Sequence, residues 1–180
     1  MLKIHMKIPL FENAFPFVAL DGEETKIPLT DARAVEMAHE NVKWQADDEF
    51  FDATFEVWVN DELFYENATT DAHGTWRELM NALEGSGKHQ ICFLDSSIDL
   101  TIIHEKHYTF QYVHIDYVWG DDHYLISSSK KTMTSEPLPK DVVETAIRQG
   151  FKQFAEFMLN NDIPISTAYK EELQQRLTEV

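Results

Sequence analysis

The sequence predicts an α+β fold: a single antiparallel β-sheet of six to eight strands, arranged as a meander, with amphipathic helices packed on one face. Three observations predict it. The pattern alternates from 51 to 60, with apolar residues on one face and polar residues and Trp58 on the other, short strand-like runs follow one another between 89 and 128 on brief connections, and an apolar stripe of helical period runs from 143 to 158. Sheets and helices of this kind are each apolar on one side and must bury that side against another layer. At 180 residues, 43% of them hydrophobic and with 12 Phe, 6 Tyr and 4 Trp, the chain can bury a core without cross-links and reads as one domain spanning 1–180.

Taken in order, Leu2–Pro9 and Phe15–Leu20 read as two strands with Gly22 in the turn that follows. Asp31–Asn41 reads as a helix opened by Thr30 or Asp31, so that 1–45 forms an N-terminal strand and helix region. The core sheet with its helices then occupies 50–160. Its first strand places Phe51, Ala53, Phe55, Val57 and Val59 on one face and Asp52, Thr54, Glu56, Trp58 and Asn60 on the other. Asn60-Asp61 supplies a tight turn, since both types tolerate the left-handed backbone, and Leu63–Glu66 returns as the hairpin partner. Trp76, Leu79, Met80 and Leu83 then fall at helical spacing, and Gly85-Ser86-Gly87 stops that helix.

Three further strands are expected at His89–Leu94, Ile98–His104 and Tyr108–Trp119, with a fourth at Tyr124–Ser128 after the Gly120–His123 turn. Ser127 to Thr132 is polar throughout and reads as an exposed loop. Past Pro137 and Pro139, Asp141 caps a helix whose Val143, Ile147, Phe151, Phe154 and Met158 suit a sheet face, and Asn160-Asn161-Asp162 ends it. A last, polar helix over Thr167–Leu177, within 165–180, reads as peripheral.

Charge bounds the function. Against 15 Lys and Arg stand 32 Asp and Glu, a formal net charge of -17 with pI about 4.7. Residues 31 to 100 hold 16 acids against 4 bases and carry -12 of that total. Such a field attracts basic surfaces and repels polyanions, so neither direct nucleic-acid binding nor anionic membrane is expected. A solvated face that keeps the protein soluble is an equally good account of the acids. The single cysteine, the scattered charges of the first 20 residues and the lack of a long apolar run lead to an expected cytoplasmic location.

No catalytic signature is present, and no cofactor is expected. There is no Gly-x-Ser-x-Gly elbow and no Gly-rich phosphate loop. Cys92, between Ile91 and Phe93, reads as a buried small apolar side chain rather than a nucleophile. His104, His107, His114 and His123 lie within twenty residues beside Asp116, Asp121 and Asp122, and are the weak candidates for a metal site and a metal-dependent hydrolase. Their order matches no metal motif, so surface histidines titrating near neutrality are the plainer reading.

The aromatics framed by acids are more informative. Trp58 shares a strand face with Asp52 and Glu56, while Tyr65, Tyr117, Trp119 and Tyr124 stand near strand ends beside Glu66, Asp116, Asp121 and Asp122. Aromatic anchors supply affinity and carboxylates steer a basic partner, although the same rings suit a second core layer. The expected contact set is Asp48, Glu49, Asp52, Glu56, Trp58, Asp61, Glu62 and Glu66, with Asp116, Trp119, Asp121 and Asp122.

The run from Phe55 to Glu66, followed by the helix around Trp76–Leu83, a strand meander and the helix around Val142–Leu159, resembles the immunity-type proteins of bacterial polymorphic toxin systems. The resemblance covers about 50–160 and rests on one hairpin segment and the order of elements. It implies a cytoplasmic, non-enzymatic protein that binds and blocks a cognate toxin, often a basic nuclease, and it assigns no individual residue. A phage-encoded inhibitor that mimics DNA would share the charge.

Overall fold

The computed structural model describes residues 1–10, 25–44, 50–93, 100–119 and 125–180, with backbone alone for 44, 68–70, 100, 117, 119, 125 and 126. Among the described residues, eight strands and four helices follow in the order β1 (Leu2–Pro9), β2 (Lys26–Pro28), α1 (Ala34–Trp44), β3 (Asp52–Val59), β4 (Glu62–Asp71), α2 (Ala72–Glu84), β5 (Gly87–Ile91), β6 (Leu100–His104), β7 (Tyr108–Trp119), β8 (Leu125–Thr134), α3 (Lys140–Asn160) and α4 (Thr167–Leu177). The expected strand at Phe15–Leu20 lies outside the described residues.

The α+β class and the antiparallel pairing hold, but the single sheet does not. The strands form two antiparallel sheets of four, ordered β2-β1-β3-β4 and β5-β6-β7-β8. The break falls at α2. Asp71 ends β4 and at once caps the helix, accepting from the Gly74 amide at 2.9 Å and the His73 amide at 3.2 Å. Thirteen helical residues then carry the chain off the β4 edge before Gly87, at φ +89°, opens β5.

An aromatic layer joins the two sheets. Tyr65 of β4 lies 5.0 Å from Tyr112 of β7 and 5.6 Å from Phe93, ring centroid to centroid, and Phe55 of β3 lies 5.7 Å from Phe93. Tyr65 is therefore core, a correction to its expected place among the outward-facing aromatics. Trp76 of α2 and the stripe of Val143, Ile147, Phe151, Phe154 and Met158 on α3 are buried as the helical period requires. The α3 stripe lies over β1, where a Cβ on Gly150 would sit 2.8 Å from the Ile4 carbonyl oxygen.

Three local expectations are corrected. Ser127–Thr132 belongs to β8 rather than a loop. Among the described residues β6 accompanies β7 only as far as Gln111, so the rest of β7 and β8 form a ribbon on which exposed polar residues suit a strand. Cys92 is exposed because it follows the end of β5, with its neighbours Ile91 and Phe93 turned inward. The α4 helix is not peripheral, since Tyr169 and Leu173 are fully buried beneath it and Tyr169 stacks on His73 of α2 at 3.9 Å.

Candidate protein-binding face

Strand β1 alternates Leu2, Ile4, Met6 and Ile8 toward the core, which sends Lys3, His5 and Lys7 to the opposite face. Antiparallel register sets Lys3 across from Trp58, His5 from Glu56 and Lys7 from Thr54, while Glu56 faces Glu66 on β4. The outer face of this sheet thus matches a basic strand to an acidic one. Glu56, expected on the surface, is only 1% exposed, and its carboxylate accepts Lys7 Nζ at 2.9 Å, Lys26 Nζ at 3.1 Å and Trp58 Nε1 at 2.8 Å. Lys26 also donates to Glu66.

Burial pushes the Glu56 carboxyl up, and the hydrogen bonds from Lys7, Trp58 and Lys26 together outweigh it, leaving the group below the ordinary carboxylate range. Glu56 is thus a fixed anion that organises the face from beneath and is removed from the contact set. Burial also lowers His5, reinforced by Lys7 and Lys3 against the pull of Glu56, so its imidazole is neutral at pH 7.

The β3–β4 turn stands above this cluster. Asn60 at φ 53° and Asp61 at φ 65° take the left-handed backbone expected of the pair, and Asp61, Glu62 and Leu63 are exposed at the tip. The turn is held from two sides. Lys3 Nζ donates to Asp61 at 2.7 Å, the amino terminus donates to the Asn60 side-chain oxygen, and Asn60 Nδ2 donates to Glu136. The Lys3 hydrogen bond holds the Asp61 carboxyl below its ordinary value. Leu63, 45% exposed, is an apolar residue beside acids.

Beside the tip a cleft of about 500 Å³ opens between β1, the Pro28–Thr30 turn and α3. Pro28, Leu29 and Trp58 give it apolar surface, Lys3, Lys7, Glu56 and Asp61 give it charges, and Gln153 adds a polar rim, while the side chains of Ile4 and Met6, which also border it, are buried in the core. Sequence reasoning missed it, because β2 and α3 are remote in the chain from β1.

The remaining expected contacts scatter. Asp52 is half-buried at the start of β3, opposite Asp71. Asp116 is on the β7–β8 ribbon, where it accepts from Ser129 Oγ and lies 3.1 Å from His114 Nε2. Asp48, Glu49, Asp121, Asp122 and His123, and the side chain of Trp119, lie outside the described residues. The histidines are not gathered: His104 packs on His89 at 5.2 Å and Tyr108 at 4.0 Å, His107 is exposed in the β6–β7 turn, and His114 is six residues beyond Tyr108, about 20 Å along the strand. Among the described residues no three His, Cys, Asp or Glu are placed to hold a metal ion, and no helix is long and apolar enough to cross a membrane.

Comparison with protein-family models, with curated proteins and with solved structures finds no match for this chain.

Proposed function

We propose that the chain is an acidic immunity or inhibitor protein that binds a basic protein toxin, of nuclease type, and neutralises it in the cytoplasm by covering its phosphate-binding surface. The observation that carries this reading is the β3–β4 tip, where Asp61, Glu62 and Leu63 stand exposed on a turn fixed by Lys3, the amino terminus and Glu136. A fixed tip avoids the ordering cost that a loose acidic loop would bear on binding. The net charge of -17 supports it in a second way, since an acidic field accelerates encounter with a surface built to hold phosphate. Occlusion requires no bond making in this chain, only a footprint that excludes the nucleic acid.

The test is co-expression with the toxin encoded by the neighbouring gene, together with association kinetics at low and high salt. The wild-type chain is expected to restore growth, and its on-rate to fall steeply as salt is raised. Glu62→Lys is expected to slow association severalfold while leaving the fold intact, because its side chain is exposed and the bonds that hold the turn come from other residues. Growth unprotected by the wild-type chain would overturn the reading, and an unaltered on-rate for the variant would remove the tip from it.

A further inference from the structure

Alternation along β5 to β8 gives the second sheet two unlike faces. Ile91, Ile102 and Phe110 are buried on the inner one, and the register assigns the outer one row by row. Lys88, Ile103 and Thr109 form one row, and Gln90, Thr101, Gln111 and Thr134 form the next. Val113 with Thr132, then Ile115 with Lys130, continue the face onto the β7–β8 ribbon. Val113 is 40% exposed, and Ile103 and Ile115 are half-buried. No carboxylate stands in any of these rows, in a chain of net charge -17. We propose that this face binds a second copy of the chain, sheet stacked on sheet about a two-fold axis. The tip proposed for the toxin belongs to the first sheet, so the two surfaces are separate.

Charge selects the occupant. A basic partner finds no acid on the face and is repelled by Lys88 and Lys130. Two copies meeting here set no carboxylate against another, and rows of Thr, Ile, Val and Gln are self-complementary, as a two-fold contact requires. Lys88 and Lys130 stand on the edge strands β5 and β8, where long side chains reach water past the contact. A lysine on an edge strand also opposes edge-to-edge pairing, which leaves the face as the mode of contact. The ribbon supplies a second reason. Among the described residues β7 beyond Gln111 pairs only with β8, and a two-stranded ladder is marginal by itself in water, so a stacked sheet supplies the layer it lacks. Size sets the strength. Strands about 4.8 Å apart, rising about 3.4 Å per residue, give roughly 450 Å² per copy and roughly 900 Å² for the pair, near the lower limit of about 1,000 Å² for a specific contact. The expected dimer is reversible and of micromolar strength. The two acidic bodies repel one another, and salt screens that repulsion, so the dimer tightens as salt is raised.

The test is sedimentation equilibrium of the whole chain from about 5 to about 500 µM, in about 0.05 M and about 0.5 M NaCl. A reducing buffer keeps the exposed Cys92 from cross-linking copies. A monomer–dimer equilibrium is expected, several times tighter at the higher salt. Amide shifts in NMR that grow with concentration are expected at Gln90, Thr109, Gln111, Val113 and Thr132. Val113→Glu is expected to weaken the dimer at least about tenfold, by setting like charges together in the contact. Thr132→Glu, exposed on the neighbouring strand, is expected to do the same and serves should the first variant disturb the ribbon. A monomer throughout the range at both salts, a dimer that weakens with salt, or a dimer that both variants leave intact would overturn the proposal. Shifts at these amides produced by the toxin in a chain that stays monomeric would assign the face to that partner and overturn it as well.

Discussion

Lys7 Nζ lies 2.9 Å from Glu56 Oε1, an ammonium on β1 against a buried carboxylate on β3. Lys26 of β2 reaches the same oxygen at 3.1 Å, so one anion ties three strands of the first sheet together. Glu56→Gln removes the charge and leaves two ammonium groups facing an amide. Those groups are 26% and 21% exposed, so water recovers part of the loss, and the expected cost is about 2–4 kcal/mol by urea unfolding. Glu56→Met with Lys7→Met is expected to recover most of it, since Lys26 keeps Glu66.

Stability is expected to fall as pH drops from 7 toward 5.5. His5 is lowered from 6.5 chiefly by burial, and His104 likewise, reinforced by His89 and Lys140 against Glu144. Just below 6.5 the unfolded chain therefore binds more protons than the folded one, and stability rises with pH through that window. Urea midpoints at pH 7, 6 and 5.5 check this, and His5→Gln with His104→Gln is expected to flatten the slope. Glu56, also lowered, contributes stability that is complete above the ordinary carboxyl pKa and is lost as pH falls from there through its lowered value.

Gly150 is required by close approach. A Cβ there would stand 2.5 Å from Trp76 Cη2 and 2.8 Å from the Ile4 carbonyl oxygen, and both neighbours are buried. Gly150→Ala gains helix propensity of up to about 1 kcal/mol but forces β1 and α3 apart. The net expectation is destabilisation of about 1–3 kcal/mol, read as a lowered thermal midpoint.

Tyr169→Phe is expected to cost nothing or to stabilise slightly. The Tyr169 hydroxyl is buried and finds no hydrogen-bond partner among the described residues, so removing it deletes a desolvated polar group and keeps the ring on His73. Leu173→Ala, by contrast, opens a cavity beneath α4 and is expected to cost about 2–4 kcal/mol. Denaturant titration of both variants separates the two effects.

Much of this was legible because it is local. Alternation over 51–59 placed Phe51, Phe55 and Val57 in the core, and Asn60-Asp61 announced the left-handed turn that the backbone adopts. The stripe from Val143 to Met158 fixed the buried side of α3. Glu56 and Tyr65 were misread for one reason. A single strand records that its faces differ but not what covers the outer one, and the covering side chains come from β1 and β2 in one case and from β7 and Phe93 in the other. Likewise the polar run Ser127–Thr132 looks like a loop until the β7–β8 ribbon is seen with both faces in water.

The sequence by itself determined the α+β class, most element positions, the exposed acids of the tip and the acidic field, because those follow from periodicity, turn chemistry and charge within a few residues. Only the tertiary structure decided that there are two sheets, that Glu56 is a buried anchor and that a cleft opens beside Trp58. Each depends on which strand edges and helix faces meet, and that choice is made by packing energy summed over residues far apart in the chain.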